Sequence, residues 1–321
     1  MKKYFTKQAF KGNGKILKDT FTGFIDDKAL KFSASLAYYT VFSLAPLLLL
    51  LISLVGIFFG REAVEGQLFS EIKMLLGSEA AIQIQEMIKN IELSGKSKTA
   101  AIFGGIALIV GATTVFAEIQ DSINIIWRVK AKPKRGWLKI VQDRLLSSSI
   151  IVALGFLLIV SLVINGALKL LSDFLVGYFP DVTVLLFKAL DFFISFAVLS
   201  LLFGVIFKVL PDAKIKWKDV RSGAFFTTCL FLLGRYLIGL YLETAGTAST
   251  YGAAGSLIII LVWVYYTAAI VYFGAEFTRA YGNFKGRKIE PADYAVYVEM
   301  TEKEIDKKTI PLGKKKDETI D

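Results

Sequence analysis

In the stretch CLFLLGRYLIGLYLETAG, residues 229–246, one guanidinium sits inside a run of apolar side chains. Thirteen uncharged residues precede Arg235, and seven separate it from Glu243. A guanidinium is permanently charged and offers five N–H donors, so its chemistry is to hold a carboxylate, a phosphate or another anion. Asp191 is the lone charge of 189–207 and the second ion in an apolar setting. Glu118 and Glu276 form another set, with Gln120, Asp121 and Asn124 close to Glu118 in the chain. Arg235, Asp191 and Glu243 are therefore candidate substrate-binding residues. Glu118, Asp121, Asn124 and Glu276 are a candidate inner polar cluster, either carboxylates paired with Arg128 or Arg279 or a titratable vestibule.

Catalytic candidates do not emerge. Histidine is absent and Cys229 is the one cysteine. That removes Ser-His and Cys-His nucleophile pairs and zinc sites built on those ligands. No catalytic residue, metal or cofactor is expected, and the chain does not read as an enzyme. There is also no nucleotide-binding P-loop, so any transport would be passive, ion-coupled or driven by a partner.

The elements that must position these charges are apolar blocks. The chain has 321 residues, 55% of them hydrophobic, with mean hydropathy +0.56. No charge occurs in 32–60, 99–117, 145–168 or 244–275, and 189–207 and 222–242 carry one each. A hydrocarbon core of about 30 Å needs about 20 apolar helical residues. The pattern predicts an all-α polytopic protein with six transmembrane helices, at about 32–60, 99–121, 145–168, 184–207, 220–242 and 253–278. Continuous rather than alternating blocks exclude a membrane barrel, and the first block starts too late and runs too long for a secretory signal.

The net charge of +10 is unevenly spread. Segments 1–31, 128–144, 208–221 and 279–321 hold 8, 7, 5 and 10 Lys and Arg, whereas 61–98 and 169–188 hold 5 and 2. Short loops rich in Lys and Arg stay cytoplasmic, which puts both termini inside. The basic excess reads as topology and attraction to anionic headgroups; no nucleic-acid partner is expected.

Between the spans, 15–31 carries Leu17, Phe21, Phe24 and Ile25 at helical spacing among lysines. It reads as a basic amphipathic helix along the inner headgroups or as an ordinary packed cytoplasmic helix. Pro46 removes a hydrogen bond inside the first span and is a candidate kink. Segment 61–98 splits at Gly77-Ser78 into two short amphipathic helices, one with Leu68, Ile72, Leu75 and Leu76, the other with Ile84, Met87, Ile88 and Ile91. They would lie on the membrane, cover a cavity or bind an envelope partner. From 282 to 321 the chain is polar and mixed in charge, and reads as a disordered cytoplasmic tail.

Depth relates the two buried ions. Span 5 ascends from about 220, so Arg235 falls about seven residues from its outer end, and Asp191 falls about seven residues below the outer start of span 4. At about 1.5 Å per residue the two match in depth. An Arg235–Asp191 ion pair or shared polar cavity is expected, with Glu243, two turns along, as second partner.

Several segments carry a family likeness: SLAYYTVFSLAPLLLL in the first span, Asn124-Ile125-Ile126-Trp127-Arg128, Leu210-Pro211, and Tyr251-Gly252 followed by VWVYY and Gly274-Ala275-Glu276. In this order, over roughly 20–285, the chain resembles the YihY/BrkB membrane proteins, formerly described as ribonuclease BN. The resemblance implies a six-helix bacterial inner-membrane protein, with envelope roles such as lipid transport and serum resistance. The ribonuclease description fits poorly, because zinc-dependent maturation of tRNA ends needs His-rich ligand sets.

The functional expectation is a transporter or flippase-like protein for an amphiphilic or anionic, lipid-like substrate, with membrane lipids as partners. The alternative is a non-transporting scaffold that binds envelope proteins through 61–98. Nothing in the sequence sets an oligomeric state. If the basic loops are cytoplasmic, green fluorescent protein fused after Asp321 fluoresces in bacteria and a fusion at Ser94 stays dark; the reverse pattern inverts the topology.

Overall fold

A computed structural model describes residues 7–60, 111, 114–132, 180–245 and 253–299, and helical residues at intervals between 62 and 89. Its elements are α1 (Lys7–Asp26), α2 (Ala29–Phe59), α3 (114–126), β1 (Val129–Ala131), α4 (Pro180–Val209), β2 (Ala213–Lys214), α5 (Trp217–Ala245), α6 (Ala253–Phe284), β3 (Glu290–Pro291) and β4 (Ala295–Tyr297). The span expected at 145–168 and most of that at 99–121 lie outside the described residues. α2, α4, α5 and α6 have 31, 30, 29 and 32 residues. At about 1.5 Å per residue each exceeds the ~30 Å hydrocarbon core.

Among the described residues, Phe192–Val209 and Leu257–Phe284 are long and apolar enough to cross a membrane. Only 17% of the first window is buried, and Phe192, Phe193 and Leu201 are exposed. A soluble core helix would hide that surface; a lipid-facing helix has no reason to.

α6 is the central post, packing against α1, α2 and α5, while α4 packs on α5. The α5–α6 seam is antiparallel and built on glycine. A Cβ on Gly223 would collide with Thr278 Oγ1, one on Gly274 with Thr227 Oγ1, and one on Gly234 with the Tyr266 hydroxyl. Each threonine hydroxyl donates to the glycine carbonyl four residues earlier on its own helix, Thr227 to Gly223 and Thr278 to Gly274, both at 2.8 Å. The two helices thus carry the same Gly-x-x-x-Thr unit and present it to each other. Small residues matter here because lipid offers no hydrophobic drive for helix association, which leaves close packing to supply it. Phe226 stacks on Phe277 beside the seam, centroids 3.9 Å apart.

α2 also runs antiparallel to α6, with Phe32 edge-on to Tyr272 near one end and Leu48 on Ile260 near the other. Its helix continues through Pro46 without interruption. The described residues between 62 and 89 are helical, and Ile84, 2% exposed, packs onto Leu48 and Ile260. These residues cover the α2–α6 groove; the break expected at Gly77-Ser78 lies outside the described residues.

α1 ends in a two-residue turn at Asp27-Lys28, with Lys28 at φ 56. Gly12 meets the Phe284 ring, Gly23 meets Arg279 and Glu276, and Phe24 lies 5.4 Å from Phe273. Those pairs step along both helices together, so α1 stands antiparallel against α6. Phe24 faces this contact, and Leu17, Phe21 and Ile25 remain exposed.

The expectation of disorder from 282 onward needs correction for 282–299. α6 continues to Phe284, and the chain turns at Gly286 with φ 69. It then pairs with both basic connections: Val129 opposite Tyr297 and Ala213 opposite Pro291, each antiparallel. Ile289, 7% exposed, supplies the apolar contact that composition averaged away. Residues 300–321 lie outside the described residues.

The seam gives a direct test. Gly223→Leu or Gly274→Leu overpacks it and should cost about 1–3 kcal/mol or more in detergent unfolding. Gly204→Ala, whose added carbon would meet Ala224 at an ordinary 3.8 Å, should stay within about 0.5 kcal/mol.

Candidate functional site

The basic connections, the end of α1 and the chain after α6 meet at one end of the bundle. At its centre is Asp27, its side chain 2% exposed. Arg128 Nη2 donates to Asp27 Oδ1 at 2.5 Å, and Arg279 Nη1 lies 3.3 Å from Oδ2. Arg279 also pairs through Nη2 with Glu276 at 2.8 Å and donates through Nη1 to the Ile126 carbonyl at 2.6 Å. Two buried carboxylates are thus balanced by two guanidiniums, Arg128 from the end of α3 and Arg279 from the same helix as Glu276. Glu276 Oε1 has no hydrogen-bond partner among the described residues. Gly23 lets α1 close over the group: a Cβ there would lie 2.7 Å from both Arg279 Nη2 and Glu276 Oε2.

Local structure aims Arg128. α3 ends at Ile126, Trp127 donates from Nε1 to the Ala275 carbonyl at 3.0 Å, and Arg128 takes φ 60. That left-handed backbone costs a non-glycine residue about 1–2 kcal/mol. It turns the chain out of α3 into β1 while the guanidinium reaches back to Asp27.

A third buried carboxylate lies on the other flank. Asp212, 3% exposed, follows Pro211 at the end of α4. It accepts from Asn124 Nδ2 at 2.8 Å, Gln120 Nε2 at 3.2 Å and the Tyr294 hydroxyl at 3.0 Å. Its own N–H donates to Asn124 Oδ1 at 2.8 Å. Asp219, in the first turn of α5, pairs with Arg287 at 2.6 Å. The exposed Lys214–Asp293 bridge and the Tyr297 hydroxyl, which donates to the Ile289 carbonyl, fasten the returning chain. Burial, with the Glu290 charge second, pushes the Tyr297 phenol up. Between these groups a cleft of about 580 Å³ opens, lined by Asp19, Trp127, Arg128, Arg279, Asn283 and Lys288 among others. Among the described residues no three metal-ligating side chains come together.

The model of the family described as Virulence factor BrkB matches residues 20–295. The chain belongs to the BrkB family. BrkB relatives include a UPF0761 membrane protein of Verminephrobacter eiseniae, 29% identical over 77% of this chain and 57% of its own length. Another, from Stenotrophomonas maltophilia, is 26% identical over 85% of this chain and 63% of its own. The chain therefore spans about three fifths of these relatives. A Bacillus subtilis protein, YfkH, whose name carries the words "ribonuclease-like", is 26% identical over 81% of this chain and 92% of its own. No solved structure matches. These names make the chain a membrane protein and define no enzymatic activity for it.

The BrkB likeness noted in separate stretches becomes spatial at this end. Asn124 holds the backbone and side chain of Asp212 just after Leu210-Pro211, and Trp127 and Arg128 reach the Ala275 carbonyl and the Asp27–Arg279–Glu276 group. The inner cluster foreseen as Glu118, Asp121, Asn124 and Glu276 divides. Asn124 serves Asp212, Glu276 pairs with Arg279, Glu118 lies half-buried near Tyr272, and Asp121 is exposed. Asp27, Asp212, Arg287 and Tyr294 were missed. Asp27 had a signal: an acid within a basic segment, five residues before the first charge-free block.

Arg235 is half-buried on α5. α4 and α5 are antiparallel, with Ser200 Oγ 3.1 Å from Thr228 Oγ1, so residue 191 falls within about a turn of the level of Arg235. The side chains of Asp191 and Glu243 lie outside the described residues, and so does that of Pro46.

Removing one partner of a buried ion pair costs about 3–5 kcal/mol, whereas exposed bridges contribute about 0–1. Asp27→Ala should therefore lower the detergent unfolding free energy by several kcal/mol, and Asp293→Ala should leave it nearly unchanged. Equal effects would remove Asp27 from its central place.

Proposed function

We infer that the chain is a multi-pass bacterial inner-membrane protein with six spans and cytoplasmic termini, acting as a transporter or flippase-like protein for an amphiphilic or anionic, lipid-like substrate. The observation that carries this reading is Arg235, a half-buried guanidinium in a helix otherwise free of charge from 222 to 242. An arginine there costs about 2.5–3.5 kcal/mol on insertion scales, so it is retained for a partner or for water. Asp191, at a similar level on the neighbouring helix, is the proposed counter-ion within an anion-accepting cavity. The ribonuclease-like name of one relative does not extend to this chain, which lacks histidine altogether.

A second reading, a non-transporting scaffold, is favoured by the dense core where α3, α4, α5 and α6 meet. Tyr272, Phe207, Ile123 and Ile126 are fully buried there. The residues around Ile84 would then present their outer surface to an envelope partner.

Reconstituted liposomes separate the two. A transporter moves fluorescent phospholipid between leaflets or releases anions, and Arg235→Leu reduces the rate at least tenfold while the protein remains folded and inserted. If the wild type moves neither lipid nor anion, the scaffold reading stands.

A further inference from the structure

We propose that the cleft at the basic end is a binding site for a phosphate ester, as carried by an anionic phospholipid headgroup or by a soluble phosphate. Its floor is the Arg128–Arg279 pair, whose side chains are 30% and 19% exposed. Both guanidiniums are fixed from behind by Asp27, itself 2% exposed, so they need no ordering when a ligand arrives. Arg279 has five donors, and Asp27, Glu276 and the Ile126 carbonyl leave part of that capacity free. Lys288, exposed on the rim, has no ion-pair partner among the described residues, and Asn283 adds an uncharged amide.

Position argues for the same ligand. Arg279, Ala280 and Asn283 lie on the last turns of the apolar window Leu257–Phe284, where α6 leaves the hydrocarbon. Basic pockets between helices at that level meet lipid phosphates, and each nearby cation adds to the attraction. A cleft of about 580 Å³ has room for a glycerophosphate headgroup. Asp27 and Glu276 match the floor's two cations one for one. The rim therefore decides the affinity: Lys288 favours an anion and Asp19 opposes it.

This site rests on the chain being a membrane protein and does not require transport. A chain that binds here but moves nothing in liposomes keeps the site and loses the transporter.

The experiment uses the full chain in detergent, titrated with phosphatidylglycerol, phosphatidylcholine and glycerol 3-phosphate, with ligand-induced rise in unfolding temperature as readout. Phosphatidylglycerol should bind saturably and phosphatidylcholine should not. Lys288→Glu should weaken binding roughly tenfold, and Asp19→Asn should tighten it roughly threefold. If glycerol 3-phosphate competes, the ligand is a soluble phosphate ester; if it does not, the ligand is the lipid. Should Lys288→Glu alone unfold the protein, Asn283→Asp carries the same test and should weaken binding. Equal binding of the two lipids, or variants that bind like the wild type, overturns the proposal.

Discussion

The described structure depends on one electrostatic constraint: a carboxylate buried at the end of α1 must be balanced, and the cations that balance it come from elsewhere. Asp27 takes Arg128 from the end of α3 and Arg279 from α6, and Arg279 brings Glu276 with it. Removing ions from water costs several kcal/mol each, repaid only when geometry and hydrogen bonding are complete. Satisfying Asp27 therefore fixes the turn into α2, the left-handed backbone at Arg128 and the close passage of Gly23. Asp212 repeats the logic with neutral donors, tying the α4 elbow to α3 and to the returning chain at Tyr294.

Helix packing and ion pairing interleave along the last turns of α6. Arg279 ties it by charge to Asp27 after α1 and by a hydrogen bond to the Ile126 carbonyl at the end of α3. Gly274 and Thr278, on either side of Glu276 in the sequence, hold it to α5 by reciprocal Gly-x-x-x-Thr contacts that bring backbones together. Gly234 against Tyr266 carries the same seam toward the middle of the helix. Exposed apolar residues on α4 and α5, such as Phe193 and Tyr236, occupy the lipid-facing remainder.

The sequence exposed long apolar blocks with one charge or none, so α2, α4, α5 and α6 were legible. The site was less legible because its logic is three-dimensional. Asn124 reads as one polar residue near Glu118, yet its partner lies 88 positions away. Gly223 and Gly274 look like scattered small residues until the antiparallel register sets each against a threonine. The segment after 284 was misread because mean polarity hides two short antiparallel pairings and a single buried isoleucine. Arg235 stood out for the opposite reason: a lone charge in an apolar run is visible in one dimension, while what surrounds it is not.

A double-mutant cycle tests the central claim most directly, with Asp27→Asn and Arg128→Gln made singly and together in the purified chain. If the pair organises the basic end, unfolding free energies should depart from additivity by about 1 kcal/mol or more, with the double variant less damaged than the singles imply. Additivity within about 0.3–0.5 kcal/mol would show that the two side chains do not depend on each other and would contradict the account.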